Sequence, residues 1–423
     1  MTCGRYDIGF EKALSMTLEH LAPLQPVDMP VQDVSGLVAA QDCRAAVDCP
    51  SAASSLKDGY AVISADVADA SRDHPVRLKK FGVSSAGNDA DAVVIPGRTV
   101  QVMTGAVIPA GTETVVPEEF TREENLHVVF YRGAMPGKNI LSRGSDVAKG
   151  DSVAARGDIL TPALTGLLAA AGIHRVRVYP RPQVGIISTG DEVVAPGRRL
   201  KSGQLYASNL VTLVSWLKHF KFKAMAEVVP DRKDKIRDAV EDMLLKADVL
   251  LTSGGTWKSE RDFTTGVLTD MGGKIVFHRV RLGPGKAVAL ILVNEKAVFS
   301  LPGGPPSNEM AFLQIALPGL LHMTARPPVP FSFKTARLSA PVGGKISWTQ
   351  FFQAGLEKRG RQWLAHPLRM KSRLQSQAAA DAIIKVPEGV EQLNAGDEVE
   401  VQDLGFLTST CKRPCHGLRS RVF

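Results

Sequence analysis

Between residues 180 and 325, short apolar runs alternate with amphipathic ones, and no other feature constrains the fold of this chain as strongly. The runs "QVGIIS", "KAMAEVV", "ADVLLTS", "KIVFHRV" and "KAVFSLP" read as strands. Between and after them lie helical patterns around "NLVTLVSWLKHF", "RDAVEDMLLK", "TTGVLTDM" and "SNEMAFLQIALPGLLHM". Nearly continuous apolar strands separated by helices predict a parallel sheet covered on both faces. Such a doubly wound sheet binds ligands beyond the carboxyl ends of its strands. The polar, glycine-bearing sequences fall at those ends: "STGDE", "PDR", "TSGGTWKSERD" and "LPGGPPSNE". In "TSGGTWKSERD" (252–262), Gly254 and Gly255 would let backbone amides converge on an anion. Lys258 and Arg261 could neutralise it, Ser253, Thr256 and Ser259 offer hydroxyls, and Asp262 could hold a metal. Taken alone, the loop reads equally well as an anion site and as a plain strand-to-helix connection.

The flanking sequence has a different texture. Residues 7–22 carry apolar side chains at helical spacing and stop before Pro23, which predicts an opening helix. From 50 to about 135, short β-rich runs separated by Gly, Pro and Asp turns predict a small β domain. In "TPALTGLLAAAG", Thr161 is the expected N-cap, Pro162 the first helical residue and Gly172 the stop. Pro327, Pro328 and Pro330 form a linker into a last β-patterned segment. The expected fold is therefore multidomain α/β and β. Its parts are an N-terminal helical and extended domain (1–48 with 137–178), an inserted β-rich domain (49–136), the α/β domain (179–326), a C-terminal β-barrel-like domain (327–408) and a basic tail (409–423).

The formal charge of +8 suits an anionic small-molecule substrate, although a merely basic surface gives the same balance. No dense Lys/Arg tract with interleaved aromatics argues for nucleic acid. No apolar run reaches the roughly 18 residues of a membrane span, and the first residues lack the order of a secretory signal, so a cytoplasmic location is expected. The cysteines, Cys3, Cys43, Cys49, Cys411 and Cys415, are too scattered for a disulfide framework. The "RGD" at 156–158 reads as a turn.

Carboxylates cluster at the expected ligand end: Asp191 and Glu192 after the first strand, Asp231 after the second, Asp262 closing the third loop. Carboxylates gathered at one rim repel one another, and a divalent cation relieves this. Singly, Asp231 reads equally well as a helix N-cap and Asp191 as a turn residue. In the β-rich part, "SSLKDGYAV" (54–62) presents Lys57 and Asp58 in what reads most simply as a hairpin turn, and "MTGAVIPAGTETVVPEE" (103–119) centres on Thr104 and Gly105.

These segments, in this order, resemble the molybdopterin molybdenumtransferases of molybdenum cofactor synthesis, the family that includes MoeA and the gephyrin E domain. The resemblance spans about residues 7–405. "SSLKDGYAV" is similar to the family's "ASVKDGYAV", "MTGAVIPAGTETVVPEE" to "TTGGPIPDGADAVVQVE", and "SRGSDVAKGD" to "RRGEDI". "STGDEV", "GQLYASN", "SGGTWKSERDF" and "SLPGGPPS" resemble "STGDEL", "GQIYDTN", "SGGVSxGExDY" and "LPGNPVS". The resemblance implies a homodimer whose active sites are shared between subunits. It implies an enzyme that takes adenylated molybdopterin and molybdate, inserts molybdenum at the pterin dithiolate, cleaves the adenylate pyrophosphate with Mg2+ and releases AMP. The molybdopterin adenylyltransferase and acceptor molybdoenzymes are the implied partners.

Carried over residue by residue, the resemblance implies catalytic roles for Asp58, Lys57, Thr104 and Glu192. Arg143 and Asp146 match "RxGxD"; Ser188, Thr189, Gly190, Ser253, Gly254, Gly255, Pro302 and Gly303 match the strand-end loops. Lys286 matches the second lysine of "KPGKP", and Ser372 with Arg373 matches "SSRL". Glu192, Asp231 and Asp262 are the implied metal ligands. The chain departs from the pattern at Gly304 (Asn in the family), at Gly283 (the first lysine of "KPGKP"), and at Thr256, Trp257 and Lys258. A non-catalytic pterin-binding scaffold, or a transferase using tungstate or another nucleotidylated pterin, are the alternatives.

Overall fold

The computed structural model describes residues 6–87, 92–254, 263–369 and 372–405. Gly255, Thr256, Trp257, Lys258, Ser259, Arg261, Asp262, Cys3, Cys411 and Cys415 lie outside them. The chain divides into two compact units, one of Pro26–Val178 and one formed by the segments before and after it.

The second unit opens with β1 (Tyr6–Gly9) and α1 (Phe10–His20). The predicted helix therefore starts three residues late. Asp7 sits at φ 61°, and residues 6–9 instead pair in parallel with a later strand, Tyr6 opposite His278.

In the unit of Pro26–Val178, six strands form one sheet: β2 (Gly59–Val62), β3 (Val76–Ser84), β4 (Arg98–Val102), β5 (Thr114–Pro117), β6 (Thr121–Glu124) and β7 (His127–Phe130). Their order is β6-β7-β3-β4-β2-β5. Alternate residues face opposite ways, so Tyr60 and Val62 pack with Leu78, Val128 and Phe130, while Ala61 packs with Val100, Val102 and Val115. The helix α2 (Pro162–Ala170) forms as its sequence predicts, with the Thr161 hydroxyl accepting the Leu164 amide at 3.2 Å.

The α/β segment contains β8 (Gln183–Thr189), α3 (Ser208–His219), β9 (Lys223–Val229), α4 (Lys233–Lys246), β10 (Val249–Ser253), α5 (Phe263–Asp270), β11 (Lys274–Gly283), β12 (Ala289–Val293), β13 (Lys296–Leu301), α6 (Pro305–Ala311) and α7 (Leu317–Met323). The sheet order is β9-β8-β10-β13-β12-β11. The first four strands are parallel. Ile186, Leu251 and Phe299 pack toward α1, α3, α6 and α7, whereas Ile187, Leu250 and Val298 pack toward α4 and α5. This is the double covering that the apolar strands require.

One strand departs from the parallel run: β12 is antiparallel to both β11 and β13, so β11 ("KIVFHRV") keeps the direction of the parallel strands but is joined to them through β12. The sequence reading missed β12, whose "ALILV" lies inside a continuous apolar stretch. The tight turn into β13 uses Asn294 and Glu295 at φ 48° and 62°, the positive-φ pair of a two-residue hairpin turn.

Beyond the prolines, β14 (Ser332–Leu338), β15 (Thr349–Arg359), β16 (Gln362–Pro367), α8 (Arg373–Ala378), β17 (Ala382–Val386) and β18 (Glu398–Asp403) follow. The five strands close in the order β14-β16-β15-β17-β18-β14, a small barrel around Ala354, Ala365, Ile384 and Val401. No helix among the described residues is long and apolar enough to cross a membrane.

Candidate functional site

The parallel strands β8, β10 and β13 end at Thr189, Ser253 and Leu301, so the predicted loop residues share one edge of the sheet. Ser188, Thr189 and Ser253 are buried. Gly254 sits at φ 120°, and a Cβ there would lie 2.2 Å from the Thr189 carbonyl oxygen; the corresponding position on Gly303 lies 3.8 Å from Gly254 Cα. Only glycine allows this approach of β10 to β8.

Two asparagines, neither singled out from sequence, tie the three loops together. Asn209 Nδ2 donates to Gly303 O at 2.8 Å and to Ser253 Oγ at 3.3 Å. Asn308 Nδ2 donates to Pro302 O and to Ser253 Oγ, both at 2.9 Å. Asn209 was visible only as the last letter of "GQLYASN". Asn308 is a fully buried amide in a stretch that reads simply as a helix.

The carboxylates gather at the neighbouring strand ends. The Asp231 amide donates to Asp191 Oδ1 at 3.1 Å. Asp231 does not cap α4: Arg232 is the N-cap residue, and no side chain caps it. Burial, then Asp191 and Glu192, push the Asp231 carboxyl above the usual range, and its buried Oδ1 has no hydrogen-bond partner. Among the described residues no group of three or more His, Cys, Asp or Glu side chains closes a metal site. The third implied ligand, Asp262, lies outside them. An orphaned carboxylate oxygen beside two like charges nevertheless fits a hard cation such as Mg2+.

In the unit of Pro26–Val178, the "KDG" segment is not a hairpin turn. Ser54–Ser55 pairs with Ile140–Leu141, whereas Gly59–Val62 is β2 of the six-stranded sheet, so Lys57 and Asp58 sit where the chain passes from one sheet to another. A Cβ on Gly59 would meet Val116 O at 2.2 Å, which fixes glycine after Asp58. Asp58 Oδ1 accepts the Thr104 amide at 2.6 Å, so two segments matched separately from sequence meet here. That amide, and then the Thr104 hydroxyl, hold the exposed Asp58 carboxyl below the usual range. Lys57 is also exposed, its amide 3.3 Å from Ser55 Oγ.

Arg143 is held by Asp48, which the sequence reading missed. Arg143 Nε and a terminal nitrogen each lie 2.7 Å from Asp48 Oδ2, and the Lys149 amide donates to Asp48 Oδ1 at 2.7 Å. The Lys149 amide and then Arg143 keep the Asp48 carboxyl below the usual range. Asp146 is exposed, its amide bonded to Cys49 O at 3.0 Å.

The remaining matched residues have other neighbours. Lys286 Nζ lies 5.2 Å over the Trp348 ring. Ser372 caps α8 by accepting the Gln375 amide at 3.2 Å, and Arg373 begins that helix. Gln377 of α8 reaches Pro305 O, at the start of α6, at 3.1 Å.

A parallel sheet that gathers hydroxyls, close-packed glycines and carboxylates at its strand ends defines an α/β protein built to hold an oxyanionic ligand. Comparison with known proteins narrows the class. Residues 8–172 match the MoeA N-terminal region (domain I and II), 185–322 a probable molybdopterin binding domain, and 335–404 the MoeA C-terminal region (domain IV). The chain is 33% identical to a molybdopterin molybdenumtransferase of Haemophilus influenzae, over 79% of this chain and 83% of that one. It is 30% identical to molybdopterin molybdenumtransferase 2 of Mycobacterium tuberculosis, over 91% and 97%. The crystal structure of a molybdopterin biosynthesis MoeA protein from Pyrococcus horikosii superposes with a TM-score of 0.78 and 31% identity, covering 94% of this chain and 99% of that one. The chain belongs to the molybdopterin molybdenumtransferase family, and is an enzyme of the transferase class in molybdenum cofactor biosynthesis.

Proposed function

We propose that this enzyme inserts molybdenum from molybdate at the dithiolate of adenylated molybdopterin and cleaves the adenylate with Mg2+, releasing AMP. The observation that carries the reading is the strand-end edge. There Ser188, Thr189, Gly190, Ser253, Gly254, Pro302 and Gly303 gather on strands next to the Asp191, Glu192 and Asp231 carboxylates. Hydroxyls and close-packed backbone suit the pyrophosphate. Glu192 and Asp231 would hold Mg2+, joined by Asp262, and the ion would supply positive charge against the phosphate oxygens. In the other unit, Lys57, Thr104 and Arg143 are donors of the kind a tetraoxo dianion needs; Asp58 holds Thr104 and Asp48 holds Arg143. Asp146 lies three residues from Arg143, and Gly255, Lys286, Ser372 and Arg373 complete the substrate-binding set. The homodimer, the cytoplasmic location and the adenylyltransferase and acceptor partners belong to the same proposal.

The test is an AMP-release assay with adenylated molybdopterin, Mg2+ and either molybdate or tungstate. AMP release with formation of metallated cofactor is expected with molybdate. Pterin binding without AMP release would make the protein a scaffold, and a preference for tungstate would change the metal.

Asp231 gives a second test. Its folded-state pKa is raised, so ionisation opposes folding; that penalty is absent below the unfolded value and fully present above the folded one. Asp231→Asn is expected to raise the melting temperature near neutral pH by about 1–3 °C. It should also remove most of the Mg2+-induced rise seen with the parent, as differential scanning calorimetry with and without Mg2+ would measure.

A further inference from the structure

The two asparagines at the strand ends fix the direction of a proton. A carbonyl oxygen can only accept, so the Asn308 atom 2.9 Å from Pro302 O is the amide nitrogen, and so is the Asn209 atom 2.8 Å from Gly303 O. Those same nitrogens face Ser253 Oγ at 2.9 and 3.3 Å. A serine hydroxyl has two acceptor lone pairs and one proton. With both lone pairs engaged by amides, Ser253 keeps only the proton to offer.

We infer that Asn308, with Asn209, is a positioning residue that sets the Ser253 hydroxyl as an obligate donor to a phosphate oxygen bound at the Gly254–Gly303 edge. The inference rests on the anion-binding reading given above. Residue 304, an asparagine in the sequence pattern this chain resembles, is glycine here, and a Cβ at that position would meet nothing within 4 Å. One turn into α6, Asn308 is 1% exposed and its Nδ2 reaches both Pro302 O and Ser253 Oγ. Had residue 308 been a carboxylate, it would have accepted the Ser253 proton, and the hydroxyl would have turned inward. The chemistry of the site therefore depends on an amide at this place and not on polarity alone.

The test is a double-mutant cycle read as affinity for AMP by titration calorimetry, at several pH values, with each variant compared with the parent at the same pH. Asn308→Asp reverses the proton order, and its affinity is expected to fall by at least about tenfold above the carboxyl pKa, the size of one lost hydrogen bond to a charged group. The loss should shrink as acid protonates the introduced carboxylate. In a Ser253→Ala background the Asn308→Asp penalty should drop by most of that factor, because no hydroxyl remains to be turned. The same cycle with Asn308→Ala introduces no charge, and covers the case in which a buried carboxylate prevents folding; it too should be non-additive with Ser253→Ala. Additive losses in both cycles would overturn the inference while leaving the anion-binding reading in place. A parent protein without affinity for AMP would overturn that reading, and the inference with it.

Discussion

Replacing Asp58 by alanine is expected to reduce turnover by about 10²-fold, with the melting temperature unchanged, since the side chain is exposed and its partner is a loop amide. In the proposed role the carboxylate acts through Thr104: its Oδ1 fixes the Thr104 amide, which holds the "MTG" segment against the "KDG" segment. An asparagine keeps an acceptor at the same place, so Asp58→Asn should lose about tenfold, less than the alanine variant. Steady-state kinetics on the three proteins would separate a positioning role from one that needs the charge itself; equal losses in both variants would assign the charge.

The pH profile carries the same information. Asp58 has a depressed folded-state pKa, so its ionised, Thr104-holding form persists above that value and is lost only as pH falls through it. Any Asp58 limb in activity is therefore expected below the ordinary aspartate value. Asp231 is displaced in the opposite direction, so a limb that it contributes is expected above the ordinary carboxylate range and should be lost in Asp231→Asn.

What the sequence made legible follows the range over which the physics acts. The strands β8, β9, β10 and β13 and the cap on α2 were readable because apolar period and capping chemistry are local. The hairpin β12–β13 was not, because Asn294–Glu295, the polar pair that turns the chain, carries no glycine and is a weak turn signal. The strand at residues 6–9 depends on a partner some 270 residues away, and nothing within the first helix announces it. The site shows the same division. Asp58 and Thr104 could be matched to motifs, but their hydrogen bond crosses 46 positions. Asp48 was passed over because the clamp it forms with Arg143 exists only in the fold. Asn308 was passed over because a helical pattern explains its neighbours without it.

The largest local effect is expected at Gly254. Its φ of 120° lies outside the basins that side-chain-bearing residues occupy, and a Cβ would press to 2.2 Å from the Thr189 backbone oxygen and 2.9 Å from Thr189 Oγ1. Neither neighbour can yield cheaply, because Thr189 is the last residue of β8, which is paired with β10 through Ser253. Gly254→Ala is expected to cost about 2–4 kcal/mol and to weaken AMP binding by at least about 10²-fold, by forcing the two strand ends apart. Gly304→Ala is the matched control: its Cβ meets nothing within 4 Å, and its φ is −72°. That variant should bind and melt like the parent. Denaturant titration and AMP calorimetry on the pair would show whether the close approach of two strand ends, and not glycine content as such, makes this edge able to hold a phosphate. If Gly254→Ala bound AMP as the parent does, the edge would have no claim to be that site.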